Sequence, residues 1–514
     1  MKKKLLFKWI LAFIIVIGIL LIAANYVLST TLKKKVNELH SDKWAISCTD
    51  AHVNIFFGTA SLSNFSLKSE KKQRNNLQLS LNNAQLTGIS IFNIFSHKNL
   101  NFSNLNIKNG KLFIIKNDSI ARMKKKDFTE SSNQKENNFE SFDLENFHIE
   151  NLKIVYILGA NDTLVSAAHV NINLKKIHTS PKKLQEEIPF DYVLDNISSD
   201  SLFYRMNNLE NIRAKHLNID AKKLHVKQFS ITSPWSRATF QKHITRENDR
   251  ITLKVDSLNV LNYKFKINRR LSDLFMQKLN LYNANLQLYR NKLPPDQIKF
   301  KPLYSRMLRE LSLGLQVDTI KVHHSNITYL EHLNFSIPPG KLSFNDFNAT
   351  ITGINNHKNS KGHTNLDISC RFMNDAPLVV NWSFDIADKT DAFKINGHLQ
   401  NFDAQKVNSF LEPNMNVDLE GQVTQMYFNF AGNNYTAGGK MRLAYKDFKV
   451  NILHKDRKGV KKLFSAIANI FIATDKPFTK ENSEKYQGIE RNQEKSFFNY
   501  FWLCIKKGTI STMI

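Results

Sequence analysis

The sequence predicts a mainly β protein: an elongated, twisted, largely antiparallel sheet curled into a groove, carried on an N-terminal transmembrane helix and ending in amphipathic helices. Three observations predict it. Apolar residues alternate with polar ones at period two over most of the chain, as they do in strands with one apolar face. A run of twenty uncharged residues stands close to the N-terminus. Helical periodicity is confined to short stretches, too few to cover so much sheet.

Lys2, Lys3, Lys4 and Lys8 precede residues 9–28, WILAFIIVIGILLIAANYVL, which carry no charge. As a helix this run spans roughly 30 Å of hydrocarbon. Ala23 and Ala24 make a poor cleavage site, so it reads as an uncleaved signal anchor. Lys33, Lys34 and Lys35 make the far flank basic too, which weakens the positive-inside rule, but so short a leading segment favours an inside N-terminus and an exported bulk. Residues 1–35 are thus expected to be anchor and stalk, 36–455 a β-groove domain, and 456–514 a C-terminal amphipathic helical region.

The 514 residues carry a net charge of +27. Such an excess attracts polyanions. Export argues against nucleic acid, which leaves a solvated lysine-rich outer face or attraction to anionic head groups. Cys48, Cys370 and Cys504 are odd in number and far apart, so neither a disulfide framework nor a zinc module is expected.

Along the chain, strands begin at residues 52–67. Leu77, Leu79 and Leu81 share one face. Residues 89–95 form a short apolar step, and Phe102, Leu105, Ile107, Leu112 and Ile114 belong to the next strands. Asn109-Gly110 reads as a hairpin turn. Residues 118–140 lose all periodicity and read as a polar loop insertion. The strand pattern resumes at 142–154 and recurs at 170–174, 212–231 and 251–267, where Tyr263, Phe265 and Ile267 stack opposite Lys264 and Lys266.

Residues 181–194 and 269–279 read as short helices or loops, and 294–311 as a Pro-initiated segment with Met307, Leu308 and Leu311 at helical spacing. Residues 313–344 state the pattern most plainly: Leu315 and Val317, Ile320 and Val322, Ile327 and Tyr329, then Leu342 and Phe344 after Pro338-Pro339-Gly340. Strands follow at 347–354, 364–373, 378–386, 393–402, 417–430 and 440–453, with a Gly/Asn turn at 431–439. Val460, Leu463, Phe464, Ile467, Ile470 and Phe471 take helical spacing behind Arg457, Lys458, Lys461 and Lys462, a basic amphipathic helix. Residues 497–505, FFNYFWLCI, are too short to cross a bilayer and apolar enough to lie against one.

On the order of twenty strands would make a sheet on the order of 100 Å wide, which must twist, curl or split. Its apolar face either closes as a sandwich core or opens as a gutter facing something else. Beside a membrane that occupant is acyl chain. The alternating apolar residues from Leu77 to Phe344 named above are then the candidate groove wall.

The other sites weigh little. His323 and His324, with Asp318 and His332 near, suggest a metal, but neighbours on a strand point to opposite faces. Gly438-Gly439-Lys440 lacks the earlier glycine of a phosphate loop and precedes a strand, so it reads as a hairpin turn. No acid and base stand at a defensible spacing. No catalytic, cofactor or metal residue is expected, and the chain reads as a non-enzyme.

Residues 89–112 (ISIFNIFSHKNLNFSNLNIKNGKL), 302–354 (with PLYSRMLRELSLGLQVDTIKVHHSNITY) and 419–508 (with LEGQVTQMYFNFAGNNYTAGGKMRL and EKSFFNYFWLCIKKG), together with the anchor, resemble the AsmA-like envelope proteins of Gram-negative bacteria. The resemblance implies an inner-membrane anchor through residues 9–28, a periplasmic β groove, and a role in moving or balancing phospholipids that supports outer-membrane homeostasis. The implied partners are phospholipid acyl chains and an outer-membrane or envelope protein. The polar insertion has no counterpart in the family pattern. A different reading is a non-catalytic scaffold or assembly factor that binds envelope proteins, for example by strand addition at an open sheet edge.

Overall fold

The computed structural model describes the chain apart from residues 1, 42–43, 71–74, 91–98, 117–138, 160–161, 187, 268–271, 358–359, 361, 454–474, 476, 478–482 and 514, with backbone alone at 2–17, 40–41, 185, 267 and 483–484. The polar insertion and the basic amphipathic helix expected from the sequence therefore lie outside the described residues, as do most of the 89–95 step and the side chain of Ile267. Among the described residues the chain forms 22 strands and divides into two compact units, Met1–Met206 with Arg213–Leu224, and Asn207–Ile212 with His225–Ile514.

The first unit opens with helix α1 (Lys2–Glu38), followed by β1 (His40–Ser41), β2 (Trp44–Ser47), β3 (Asp50–Asn54), β4 (Thr59–Ser69), β5 (Asn75–Thr87), β6 (Asn99–Lys116), β7 (Ser141–Leu158), β8 (Asp162–Thr179) and β9 (Asp191–Arg205). β1 pairs with β2, and both β2 and β3 pair with β4. From β4 to β9 each strand pairs with the next, antiparallel except for the parallel step β6 to β7. A parallel step needs a crossover of a dozen or more residues. The polar insertion sits at that connection. Among the described residues no helix is long and apolar enough to cross a membrane, and residues 9–17 of the predicted span lie where backbone alone is described.

β10 (Asn211–Asp220) and β11 (Lys223–Thr232) are divided between the units. The second unit continues with β12 (Asp249–Ile267), β13 (Ser272–Tyr282), β14 (Asn285–Asn291), α2 (Tyr304–Arg309), β15 (Leu313–His332), β16 (Gly340–Asn355), β17 (Thr364–Phe372), β18 (Ala376–Phe384), β19 (Phe393–Asp403), α3 (Asn408–Met415), β20 (Val417–Gly432), β21 (Thr436–Ile452), β22 (Ser483–Glu490) and α4 (Phe497–Met513). β13 and β14 lie between β12, antiparallel, and β15, parallel. From β15 to β22 the ladder is antiparallel throughout. The parallel step recurs at nearly the same offset: Asn99 pairs with Ser141 in the first unit and Ser272 with Leu313 in the second.

Three local expectations are corrected. Asn109-Gly110 is not a hairpin turn, because β6 runs straight through it with Asn109 at φ 53°. Asparagine tolerates the left-handed region, and that one property serves an interrupted strand as well as a turn. Residues 272–279 are strand, not helix or loop, held between β12 and β15. Gly438 and Gly439 lie inside β21 rather than in a turn, and a Cβ on Gly439 would stand 2.1 Å from the Asn429 carbonyl oxygen.

The core of the second unit corrects a fourth. Phe497, Tyr500, Cys504, Gly508 and Thr512 recur every three or four residues and form the buried face of α4. That face packs on Phe384, Phe393, Ile395, Phe428, Phe430 and Met441 of the sheet. The Phe497 ring stacks on Trp382 at 4.6 Å. The helix read as bilayer-facing therefore covers its own sheet.

Candidate functional site

Residues directly opposite in a ladder share a face, so the registers define which side chains form a surface. Across β5 to β9, Leu86, Leu105, Phe147, Leu174 and Leu194 form one row, and Ala84, Ile107, Ile149, Ile172 and Ile197 a second. Beyond a middle row of Leu81, Gly110, Leu152 and Val170 come Leu79, Leu112, Ile154, Ala167 and Leu202, then Leu77, Ile114, Tyr156, Val165 and Tyr204. At strand spacing the face is about 20 Å across, with rows about 7 Å apart.

The sequence hides this continuity, because the apolar positions change parity within single strands. Ile107 and Leu112 face the same way although they are five residues apart. The change occurs at left-handed residues, Asn109 on β6 and Asn151 on β7 (φ 59°). Gly110 follows immediately, and a Cβ there would lie 2.7 Å from Leu152 Cδ1 and 2.9 Å from Leu81 Cδ2. Its absence lets those two leucines close into a buried middle row.

The rows on either side are half-buried, Leu77, Leu79, Leu105, Ile107, Ile149 and Ile154 among them. α1 packs on β2 and β3, and among the described residues no helix packs extensively on β5 to β9. Among the described residues the first unit therefore presents an apolar sheet face without a helical cover.

In the second unit Tyr263, Met276, Val317 and Ile354 form a row, as do Phe265, Leu274 and Leu315. Ile320 pairs with Ile351, Val322 with Ala349, Ile327 with Phe344, and Tyr329 with Leu342. Within each of these rows the side chains share a face, but their surroundings differ. Phe265 is 53% exposed, Val317 only 2%. Tyr329 donates its hydroxyl to Glu331 Oε2 at 2.5 Å, and burial raises its pKa, so it belongs to a polar network rather than to an aliphatic wall. The Ile320 row continues through Leu366, Trp382, Ile395 and Phe430 into the core under α4.

Other sequence candidates resolve plainly. His323 stacks on Tyr282 at 4.7 Å, whereas His324, left-handed at φ 46°, places Nδ1 3.0 Å from Asp346 Oδ1. Among the described residues no group of three or more His, Cys, Asp or Glu is placed to hold a metal.

A depression of about 640 Å³, which sequence reasoning missed, lies on the face of β18 to β21 opposite the core. Two rows line it: Val379, His398, Tyr427 and Arg442, and Asn381, Asn396, Asn429 and Lys440. His398 stacks on Tyr427 at 3.9 Å, and burial lowers its pKa. Lys440 stands opposite Lys485. In the sequence these residues are the ordinary polar half of an alternation. The depression offers hydrogen-bonding groups and positive charge, without the apolar continuity of the rows in the first unit.

Fold and faces together define a class: a mainly β protein whose first unit has an apolar sheet face that, among the described residues, no helix covers, and whose second unit has a sheet core capped by α4. No protein-family model, curated protein or solved structure matches the chain.

Proposed function

We propose that the protein is a membrane-anchored lipid-binding protein whose first unit carries acyl chain across the apolar face of β4 to β9. The observation that carries this reading is the set of cross-strand rows of Leu, Ile and Phe on which, among the described residues, no helix packs extensively. Exposed apolar surface of a few hundred Å² marks an interaction site. The hydrocarbon of one leaflet is roughly 15 Å deep, half of the bilayer core, so an extended tail fits within the face. Movement along it is diffusion between rows and needs no nucleophile.

The resemblance to AsmA-like envelope proteins supports phospholipid as cargo, the inner membrane as anchorage through residues 9–28 in a single pass, and a periplasmic position for the sheet. In this reading α1 is the anchor and the lysine-rich outer faces are solvated.

A photoreactive side chain at Ile149, introduced into the full chain in its native membrane, tests the proposal. The expected product is a phospholipid adduct, with phospholipid also recovered by native mass spectrometry of the detergent-extracted protein. Adducts to protein alone would favour the scaffold reading. Recovery of no lipid by either route overturns lipid carriage.

A further inference from the structure

Between Ile19 and Thr30, α1 is polarised in the reverse of the usual sense. Ile19, Leu20, Ile22, Tyr26 and Val27 are 58–72% exposed. Asn25 and Ser29 turn inward instead, whereas the exposed Thr30 bonds back to its own helix. The Ile55 N–H donates to Asn25 Oδ1 at 2.8 Å, and the Val53 N–H donates to Ser29 Oγ at 2.8 Å. Ser29 in turn donates to the Asn25 carbonyl oxygen at 2.6 Å, and Thr30 to that of Val27 at 2.9 Å. Apolar outside and polar satisfied within is the arrangement a hydrocarbon surrounding demands.

Those bonds also fix the height of the turn that follows β3. Phe56 and Phe57 at its tip are 75% and 71% exposed, with their rings edge to face at 5.2 Å. The turn is rigidly built: the Phe57 N–H donates to Asn54 Oδ1 at 3.2 Å, Gly58 is left-handed at φ 58°, and the Ile89 N–H donates to the Gly58 carbonyl at 2.9 Å. A solvated turn has no use for two adjacent exposed phenylalanines. Asn25 lies three residues before the end of the apolar run, about 4.5 Å inside it at helical rise. Aromatic side chains collect at this depth of a bilayer. Lys33, Lys34 and Lys35 come two turns further on, level with head groups.

We propose that the turn between β3 and β4 is a second membrane contact, with Phe56 and Phe57 seated in the lipid interface beside α1. The inference rests on reading α1 as a membrane helix. Its consequence concerns cargo entry. Ala60, two residues past Gly58, pairs with Leu86 and so begins the row that continues through Leu105, Phe147 and Leu174. The apolar face of the first unit starts at the lipid surface.

The test uses the full chain in phosphatidylethanolamine and phosphatidylglycerol vesicles, with Phe57→benzoylphenylalanine compared with the same replacement at Tyr26 and at Tyr435, an exposed tyrosine of the second unit. After irradiation, lipid adducts are expected at positions 57 and 26, at least about tenfold above position 435, as interfacial placement requires. Adducts at 26 with position 57 no higher than 435 overturn the second contact and leave the anchor standing. Loss at both positions overturns the anchor and this inference with it. Crosslinks from position 57 to another copy of the chain overturn it in favour of a protein interface.

Discussion

Asn151 donates its side-chain amide to the side-chain carbonyl of Asn109 at 2.6 Å, and both residues hold left-handed backbone in neighbouring parallel strands. The pair aligns the two interruptions, so the apolar positions of β6 and β7 change parity together. Without that alignment one strand would turn its isoleucines to solvent.

Replacing Asn109 or Asn151 by alanine is expected to destabilise the first unit by about 1–2 kcal/mol, the cost of the left-handed region for an ordinary residue. Asn151→Gly should lose only the hydrogen bond, about 1 kcal/mol. Urea unfolding of the full chain in detergent checks the order. Equal stability of the alanine and glycine variants would count against the backbone argument.

Phe497→Ala removes the ring stacked on Trp382 and should cost about 3–5 kcal/mol, as large-to-small changes of buried aromatics do. The loss should appear without any lipid present. A variant of unchanged stability that binds vesicles less well would restore the bilayer-facing reading of α4.

Burial pushes the thiols of Cys370 and Cys504 up to about 12 from an ordinary 9.0. Because the folded pKa lies above the unfolded one, the unfolded chain loses these protons first. Their contribution is fully present below pH 9.0 and declines as pH rises from there toward 12, by at most about 1.4 kcal/mol per pH unit for each thiol. At pH 8 iodoacetamide should modify neither cysteine until urea unfolds the chain, and Cys504→Ala should reduce the alkaline slope. Rapid native-state labelling of either would contradict their burial.

On the apolar face, Ile107→Glu places a carboxylate in the second row, where Ile107 is half-buried and the charge stays hydrated. Recovery of bound phospholipid should fall at least about tenfold, the effect of roughly 1.4 kcal/mol or more of lost apolar contact. Lys153→Glu, exposed on the next strand, should leave it unchanged. Equal lipid recovery from both variants would remove this face from the proposal.

Leu77, Leu79, Leu105 and Ile107 were legible as one-sided strand residues because alternation is local: each Cβ direction follows from its neighbours two positions away. The same logic read α1, the α2 turn and most strands. It failed at Asn109-Gly110 and at 272–279, where the local preferences fit two conformations and distant partners choose between them. It also left Phe147, Ile149 and Ile172 out of the candidate face. A parity change flanking an asparagine was the signal available for them.

By itself the sequence determined that the chain builds half-apolar strands, where its apolar run lies, and which side chains can share a face within a strand. Tertiary structure decided which faces stay open. Phe497 covers Trp382 from more than a hundred positions away, and Ile107 meets Ile149 across a crossover. Cover and continuity arise between segments remote in the chain, whereas periodicity reports only on residues within a few bonds of one another.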